Sequence, residues 1–494
     1  MFTRTYGSIT SGIEGVLVNV NVNVTYSSPD FIINGFDNLA MEAAKTRIRG
    51  AIKSCGVQIP PMNIKVDFVP QRISGETSRL DLAIAVGVLT GLGKISPISI
   101  VNVLYAAKLN EDGTLTGIDG IYSIVRNAKN KGITKVFIAP ENVAEALMVE
   151  DIDVYTVRNL ADLLAYSSGA RRLDPLSREQ MLRQEVGESK DFSDFGGYVL
   201  AKRACEIAAA GGHNILINGT ADFDKAMFAE RINSILPEMT EEEAAEVTKA
   251  YSLGGLLADK KMINRRPYRR PKYTATVESL LGSYNSSKPG DIVLSNNGTL
   301  FLDDLHEFDQ EAINKLIVPV FDGKIGVQAG LAGIFSTNVM LIGGVRPCAC
   351  GYYGEGSCTC SNNDIEKYRR EMPMEFISCF DVYVNISNEN IREKTESSAK
   401  IRERVTTARA IQRRRLSRFG LRCNSQMNHF LIEKFCTLTP EAVAIFDTNC
   451  SWVKRSNDIY DRMLRVGRTI ADLSGSVDID ALHIVEAIQF YNSY

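Results

Sequence analysis

No stretch of this 494-residue chain reaches the roughly 18 apolar residues needed to cross a bilayer. Its start, MFTRTYGSIT, lacks the apolar core of a signal peptide. A strong charge of either sign is missing too: 56 basic and 59 acidic side chains give a formal charge of −3. Any nucleic-acid contact must therefore come from a local patch. Fixed-period repeats and low-complexity tracts are absent. So is a disulfide framework: of ten cysteines, four crowd into 348–360 and six stand alone. These absences argue against a membrane-spanning or disulfide-stapled secreted protein. They suit a reducing cytoplasm and one metal site.

What is present is an ordinary globular composition, 45% hydrophobic, with length for about three domains. Residues 1–168 read as a mixed α/β domain. VLVNVNVNV (Val16 to Val24) alternates with strict period two, a half-buried strand. A helix over Asn38 to Cys55, a strand over Ile64 to Val69 and an apolar helix over Leu80 to Leu92 follow. Then come a strand over Ile100 to Leu109, a turn at Asn110 to Gly113, a helix ending before Gly132 and a strand over Val136 to Ala139. Residues 169–190 are charged and weakly patterned, a linker. Residues 191–388 alternate strands and helices, which implies a parallel sheet. Residues 389–494 are helix-patterned throughout.

The central block contains an altered phosphate-binding loop. A working loop reads G-x-x-x-x-G-K-[ST]: its glycines expose backbone N–H groups to phosphates, its lysine meets the outer phosphates, and its hydroxyl holds Mg²⁺. Here a strand ending at Asn218 leads to Gly219, and Lys225 keeps the correct spacing. The second glycine is Asp224, whose charge is expected to face the phosphates. The hydroxyl position is Ala226. Downstream, TLFLDDL (Thr299 to Leu305) matches a Walker B strand. Asp303 stands where an acid holds Mg²⁺ through water, and Asp304 where related ATPases carry a longer glutamate. The alternative for Asp303 and Asp304 alone is a helix cap. These remnants make Gly219, Lys225 and Asp303 a vestigial nucleotide site, with no intact catalytic residue.

Cys348, Cys350, Cys358 and Cys360 form C-x-C-x₇-C-x-C with glycines between the pairs. Two thiolate pairs on a Gly-rich turn converge on tetrahedral Zn²⁺, and without a nearby histidine the site is closed and structural. Free thiols or another soft metal are the alternatives. Two basic clusters stand out. One runs from Lys400 to Arg422, with nine basic residues and one acid, Glu403; Arg402, Arg409 and the run Arg413, Arg414, Arg415 are DNA-contact candidates. The other, Arg265, Arg266, Arg269, Arg270 and Lys272, is interleaved with Tyr268 and Tyr273, rings on which bases stack. A solvated helix face or an inter-subunit salt-bridge surface is the alternative for each.

Several long, collinear segments resemble the Mg-chelatase-like AAA+ family, in its competence-protein ComM (YifB-type) group. They are FIINGFDNLAMEAAKTRIRGAIKSCG, SRLDLAIAVGVLTGLGKI, DGTLTGIDG, VFIAPENVAEAL, AAAGGHNIL, RRPYRRPKYT, GDIVLSNNGTLFLDDLHEF, PCACGYYG and VGRTIADLSGS. The resemblance covers nearly the whole chain. It implies a Lon-protease-like N-terminal α/β domain, a central AAA+ P-loop parallel-sheet domain and a C-terminal helical lid. It also implies ring-shaped, usually hexameric, ATP-driven assemblies; ComM-type members act on branched DNA during natural transformation.

The departures form a pattern. The family's loop is GPPGTGKT, of which Gly219 and Lys225 remain. Its sensor asparagine matches Arg346, the arginine expected to reach a neighbour's nucleotide matches Cys379, and the sensor arginine of the helical domain matches Asp458. Lys272 and Tyr273 replace paired histidines. A Lon-type protease needs a serine activated by lysine; Ser78 or, with a one-residue slip, Arg79 takes the first position and Tyr122 the second. Proteolysis is therefore not expected. The expectation is a pseudo-ATPase with doubtful ATP and Mg²⁺ binding, acting as a DNA-binding or scaffold subunit. It would form a homo-oligomer or a mixed ring with an active paralogue, in the cytoplasm, with no membrane partner. An active DNA-remodelling ATPase and a pure protein-interaction module are the rival expectations.

Overall fold

The computed structural model describes residues 1–71, 76–177, 190–257, 262–283, 288–327, 333–354, 356–386, 396–449 and 457–491. Most of the expected linker (178–189) and the expected boundary at 388/389 lie outside the described residues. No described helix is long and apolar enough to cross a membrane.

The N-terminal region is a seven-stranded mixed sheet. Its strands are β1 (Phe2–Ser11), β2 (Glu14–Thr25), β3 (Asp30–Ile33), β4 (Asn63–Val69), β5 (Val103–Ala106), β6 (Lys135–Ile138) and β7 (Asp153–Thr156), in the order β3-β4-β2-β1-β5-β6-β7. The alternation in β2 sends Val18, Val20, Val22 and Val24 into the core and leaves its asparagines half-buried or exposed. Slipping the register by one residue would bury the asparagines, so the pattern fixes the pairing with β1 and β4. Against this face pack α1 (Asn38–Ser54), capped by Asp37, and α2 (Asp81–Gly91), which is apolar all round. Gly87 and Gly91 let α2 lie on the strand: a Cβ at either would sit about 2.5 Å from a Cγ2 of Val22 or Val24. The expected strand over Ile100 to Leu109 is broken. Pro97 starts a 3₁₀ turn ending at Ile100, Asn102 takes φ 55°, and only Val103–Ala106 joins the sheet. A proline-led turn and a left-handed residue cannot continue a strand.

The core is a five-stranded parallel sheet of β8 (Ile215–Gly219), β9 (Tyr268–Arg269), β10 (Thr299–Leu302), β11 (Met340–Val345) and β12 (Val382–Ile386), in the order β9-β10-β11-β8-β12. Its strands read as continuous apolar runs because helices cover both faces. On one face lie α3 (Val199–Gly211) and α4 (Lys225–Ile235). On the other lie α5 (Glu241–Leu253) and α6 (Asn362–Glu371). The rest of the described chain, from α7 (Ser398–Leu416) through α8 (Asn457–Ser474) to α9 (Ala481–Tyr491), is helical. The buried stripe of α7 is Ile401, Val405, Ala408, Gln412 and Leu416, at helical spacing.

Helix α5 joins the two sheets. Ala250 and Leu253 share a core with Ile13 of the N-terminal region and Leu300 of the core sheet. The backbone N–H of Gly120 donates to Ser252 O, the Ser252 hydroxyl donates to Glu145, and Lys249 pairs with Glu14.

Candidate functional site: a phosphate loop filled from within

Three amides along the loop between β8 and α4 are engaged. Ala221 N–H donates to Gly351 O, Phe223 N–H to Thr220 O, and Lys225 N–H to Phe223 O. Asp224 was expected to aim its charge at phosphate. Instead its carboxylate caps α4, accepting from Met227 N–H, so the substitution trades an anion-facing glycine for a helix cap. Phe223 anchors the loop in a ring cluster with Phe195, Tyr198 and Phe228.

The lysine and the Walker B acids lie side by side and pair with each other. Lys225 is buried, with Nζ 3.7 Å from Asp303 Oδ1 and 3.5 Å from Asp304 Oδ1. Arg346, in the sensor position at the end of β11, grips Asp304 with both ends of its fork: Nε to Oδ1 at 3.0 Å and a terminal nitrogen to Oδ2 at 2.6 Å. Arg270, a DNA-contact candidate by sequence, donates to Asp303 Oδ2 at 2.9 Å. Three cations thus surround two carboxylates where Mg²⁺ and phosphates would bring opposite charges. Burial pushes the Asp304 carboxyl up, but the Arg346 bonds and the Lys225 charge outweigh it and hold it below the ordinary value. Asp304 takes φ 52°, a left-handed conformation that aspartate tolerates better than most residues.

The four cysteines converge above this loop. Their Sγ atoms all lie within 4.8 Å of one another, with Cys348–Cys350 at 3.4 Å, Cys350–Cys358 at 3.6 Å and Cys348–Cys358 at 3.9 Å. A regular tetrahedron of thiolates around Zn²⁺ at about 2.3 Å requires S–S separations of about 3.8 Å, so the set fits the ion. Backbone N–H groups, that of Thr359 foremost, pull the Cys350 thiol down to about 5, while its neighbours push Cys360 up to about 12. Four thiolates this close repel one another, and a cation among them removes that penalty. The knuckle rests on the phosphate loop. The Tyr352 hydroxyl donates to Asp222 Oδ1 at 2.7 Å, and Gly351, at φ 84°, leaves no room for a Cβ, which would lie 2.7 Å from that of Ala221. Sequence spacing located the thiols but not this contact; the tyrosine after the second cysteine was its only trace.

The DNA-contact candidates divide. Arg266 is largely covered, at 13% exposure, and is bonded to Glu243 and to the carbonyls of Pro237 and Asn297. Arg415 is held by Asp472 and Asn424. These two are internal and are not part of a solvent-facing basic surface. Arg269 pairs with Asp291. Lys272, Arg413 and Arg414 are exposed. At the lost arginine positions, Cys379 is buried and Asp458 pairs with Arg462. In the N-terminal region Ser78 sits in a 3₁₀ turn, Arg79 donates to Glu76 and Asp119 O, and the buried Tyr122 accepts from Arg126. This arrangement has no serine–lysine pair among the described residues.

A parallel α/β core with a phosphate-type loop, a Walker B strand and a helical C-terminal region is the AAA+ type of architecture. Three family models match in series: "Subunit ChlI of Mg-chelatase" over 20–142, "Magnesium chelatase, subunit ChlI" over 191–394 and "Magnesium chelatase, subunit ChlI C-terminal" over 395–491. The competence protein ComM of Haemophilus influenzae is 30% identical over 496 residues, covering 98% of this chain and 96% of the relative. The uncharacterized protein YifB of Escherichia coli is 28% identical, covering 97% and 95%. An uncharacterized protein of Mycobacterium bovis is 27% identical, covering 99% and 98%. The chain belongs to the Mg-chelatase-like ComM/YifB group.

Proposed function

We propose that this chain is a nucleotide-independent member of its group, a pseudo-ATPase that serves as a scaffold or DNA-binding subunit. The observation that carries the proposal is the filled site: Lys225, Arg270 and Arg346 neutralise Asp303 and Asp304, while Gly351 O occupies the Ala221 N–H of the loop and Asp224 occupies the Met227 N–H in the first turn of α4. Phosphoryl transfer depends on positioning and on neutralising developing charge, and each missing part of that machinery costs orders of magnitude in rate. Ala226 supplies no hydroxyl for Mg²⁺. In this proposal 1–168 is a Lon-protease-like domain without protease activity, 169–190 a linker, 191–388 the AAA+ core with its structural zinc, and 389–494 the lid. Its setting is a cytoplasmic ring, of identical copies or shared with an active paralogue.

The test is Mg-ATP turnover by purified protein, with and without branched DNA. We expect none above background. Turnover near about one per second, lost in Lys225→Ala, would overturn the proposal. The DNA role is supported by the exposed Lys272, Arg413 and Arg414. Affinity for DNA should fall steeply with salt, and neutralising Arg413 and Arg414 should flatten that slope. A salt-independent affinity would remove the DNA role and leave the scaffold.

A further inference from the structure

At the opposite edge of the core sheet, where β8, β10, β11 and β12 begin, lies a cavity of about 550 Å³. Five arginines line it: Arg266, Arg409, Arg413, Arg422 and Arg465. Among the described residues three carboxylates join them, Glu243, Asp322 and Asp381. Those carboxylates are partly engaged. Glu243 is shared by Arg266 and Arg422, and Asp381 faces the buried His213 at 3.4 Å. Among the described residues no carboxylate lies within 4.0 Å of Arg409, Arg413 or Arg465.

Each of these three guanidiniums has donors to offer. Arg409 turns Nε and one terminal nitrogen onto a single carbonyl, Ala209 O at the end of α3. Arg465 gives one nitrogen to Ser425 O, and its Nε is buried with no hydrogen-bond partner. Arg413 is exposed on α7, one turn beyond Arg409. The charge is felt by the neighbours: burial lowers the Arg266 pKa, Glu243 opposes that, and the charges of Arg409 and Arg422 add to the lowering. Mutual repulsion of this kind disfavours the fold unless an anion offsets it.

We propose that this cavity binds a small ligand carrying a polyphosphate group, at a site separate from the phosphate loop. Guanidinium forks match phosphate oxygens two at a time, and the volume is that of a small-molecule site. β8 separates it from the filled loop: the cavity reaches Asn214 before the strand, and the loop starts after Gly219. The proposal is independent of whether the loop binds nucleotide.

The test is calorimetric titration of the full chain with tripolyphosphate, without divalent cation and at low salt. Saturable binding that weakens with salt is expected. Arg413→Gln, an exposed change, should weaken it about tenfold, the loss of one charge-assisted hydrogen bond. Arg465→Gln should weaken it further, and Lys225→Ala should leave it unchanged. Equal binding by wild type and Arg413→Gln would overturn the proposal. Loss in Lys225→Ala would place the ligand in the phosphate loop instead. Binding of a single-stranded oligonucleotide without any binding of tripolyphosphate would replace the small ligand with nucleic acid.

Discussion

The two edges of the core sheet handle charge in opposite ways. At the edge where β8 and β10 end, three cations and two carboxylates interlock, and each carboxylate is held by two of the cations. At the edge where the strands begin, five arginines face three carboxylates, and among the described residues three of those arginines have no carboxylate within 4.0 Å. A count of basic residues separates neither edge from an ordinary surface. What separates them is whether the partners come from the same chain. A site balanced from within has little to gain from a ligand, whereas one left with surplus charge gains a great deal.

The largest expected effect tests the first edge. Cys358→Ser should remove the metal, measured as loss of about one zinc per chain with a chromophoric chelator, and expose 348–360 to protease. Retained zinc would mean that Cys358 is not needed to hold the ion. Next is the pairing rule itself. Arg415 is 15% exposed and Asp472 1%, but Asp472 keeps Arg468 at 3.1 Å, so Arg415→Ala should cost about 2–3 kcal/mol in urea unfolding. Neighbouring Arg414, exposed and outside that pair, should change stability by less than about 0.5 kcal/mol when truncated. Similar costs for the two would refute a division by pairing. Arg346→Gln should cost less than Arg415→Ala, about 1–2 kcal/mol, because its pair is about a third exposed to solvent. It should not restore turnover, since the loop amides stay engaged.

The smallest effect is in acid. The folded Asp304 pKa lies below its unfolded value, so its contribution is present above pH about 3.9 and is lost as pH falls through the folded value. Arg346→Gln should narrow that shift and move the acid-unfolding midpoint upward by a few tenths of a pH unit. An unchanged midpoint would mean that Lys225 alone sets the shift.

Much of this was legible in the sequence. The period-two run in β2, the apolar helix α2 and the parallel core strands follow from hydrophobic pattern alone. The thiol cluster follows from motif spacing, which also picked out Lys225, Asp303 and Asp304 but not their pairing with one another. What pattern could not show was direction. Asp224 and Arg346 looked like losses, yet one caps a helix and the other fills the place of a cation. Arg266 and Arg415 looked like surface charge because sequence reports charge but not burial. Ile100 to Leu109 looked like one strand because its apolar residues hid the left-handed break at Asn102.

Helix α5 sits between the two sheets with no linker of its own, touching Gly120 and Glu14 on one side and sharing a core with Leu300 on the other. The strand that contains Leu300 ends next to Asp303. A pull applied to the outer sheet would therefore reach the acids through rigid packing alone, as along a strut. In such a molecule, α5 ties the position of the outer sheet to the strand that carries the acids at its end.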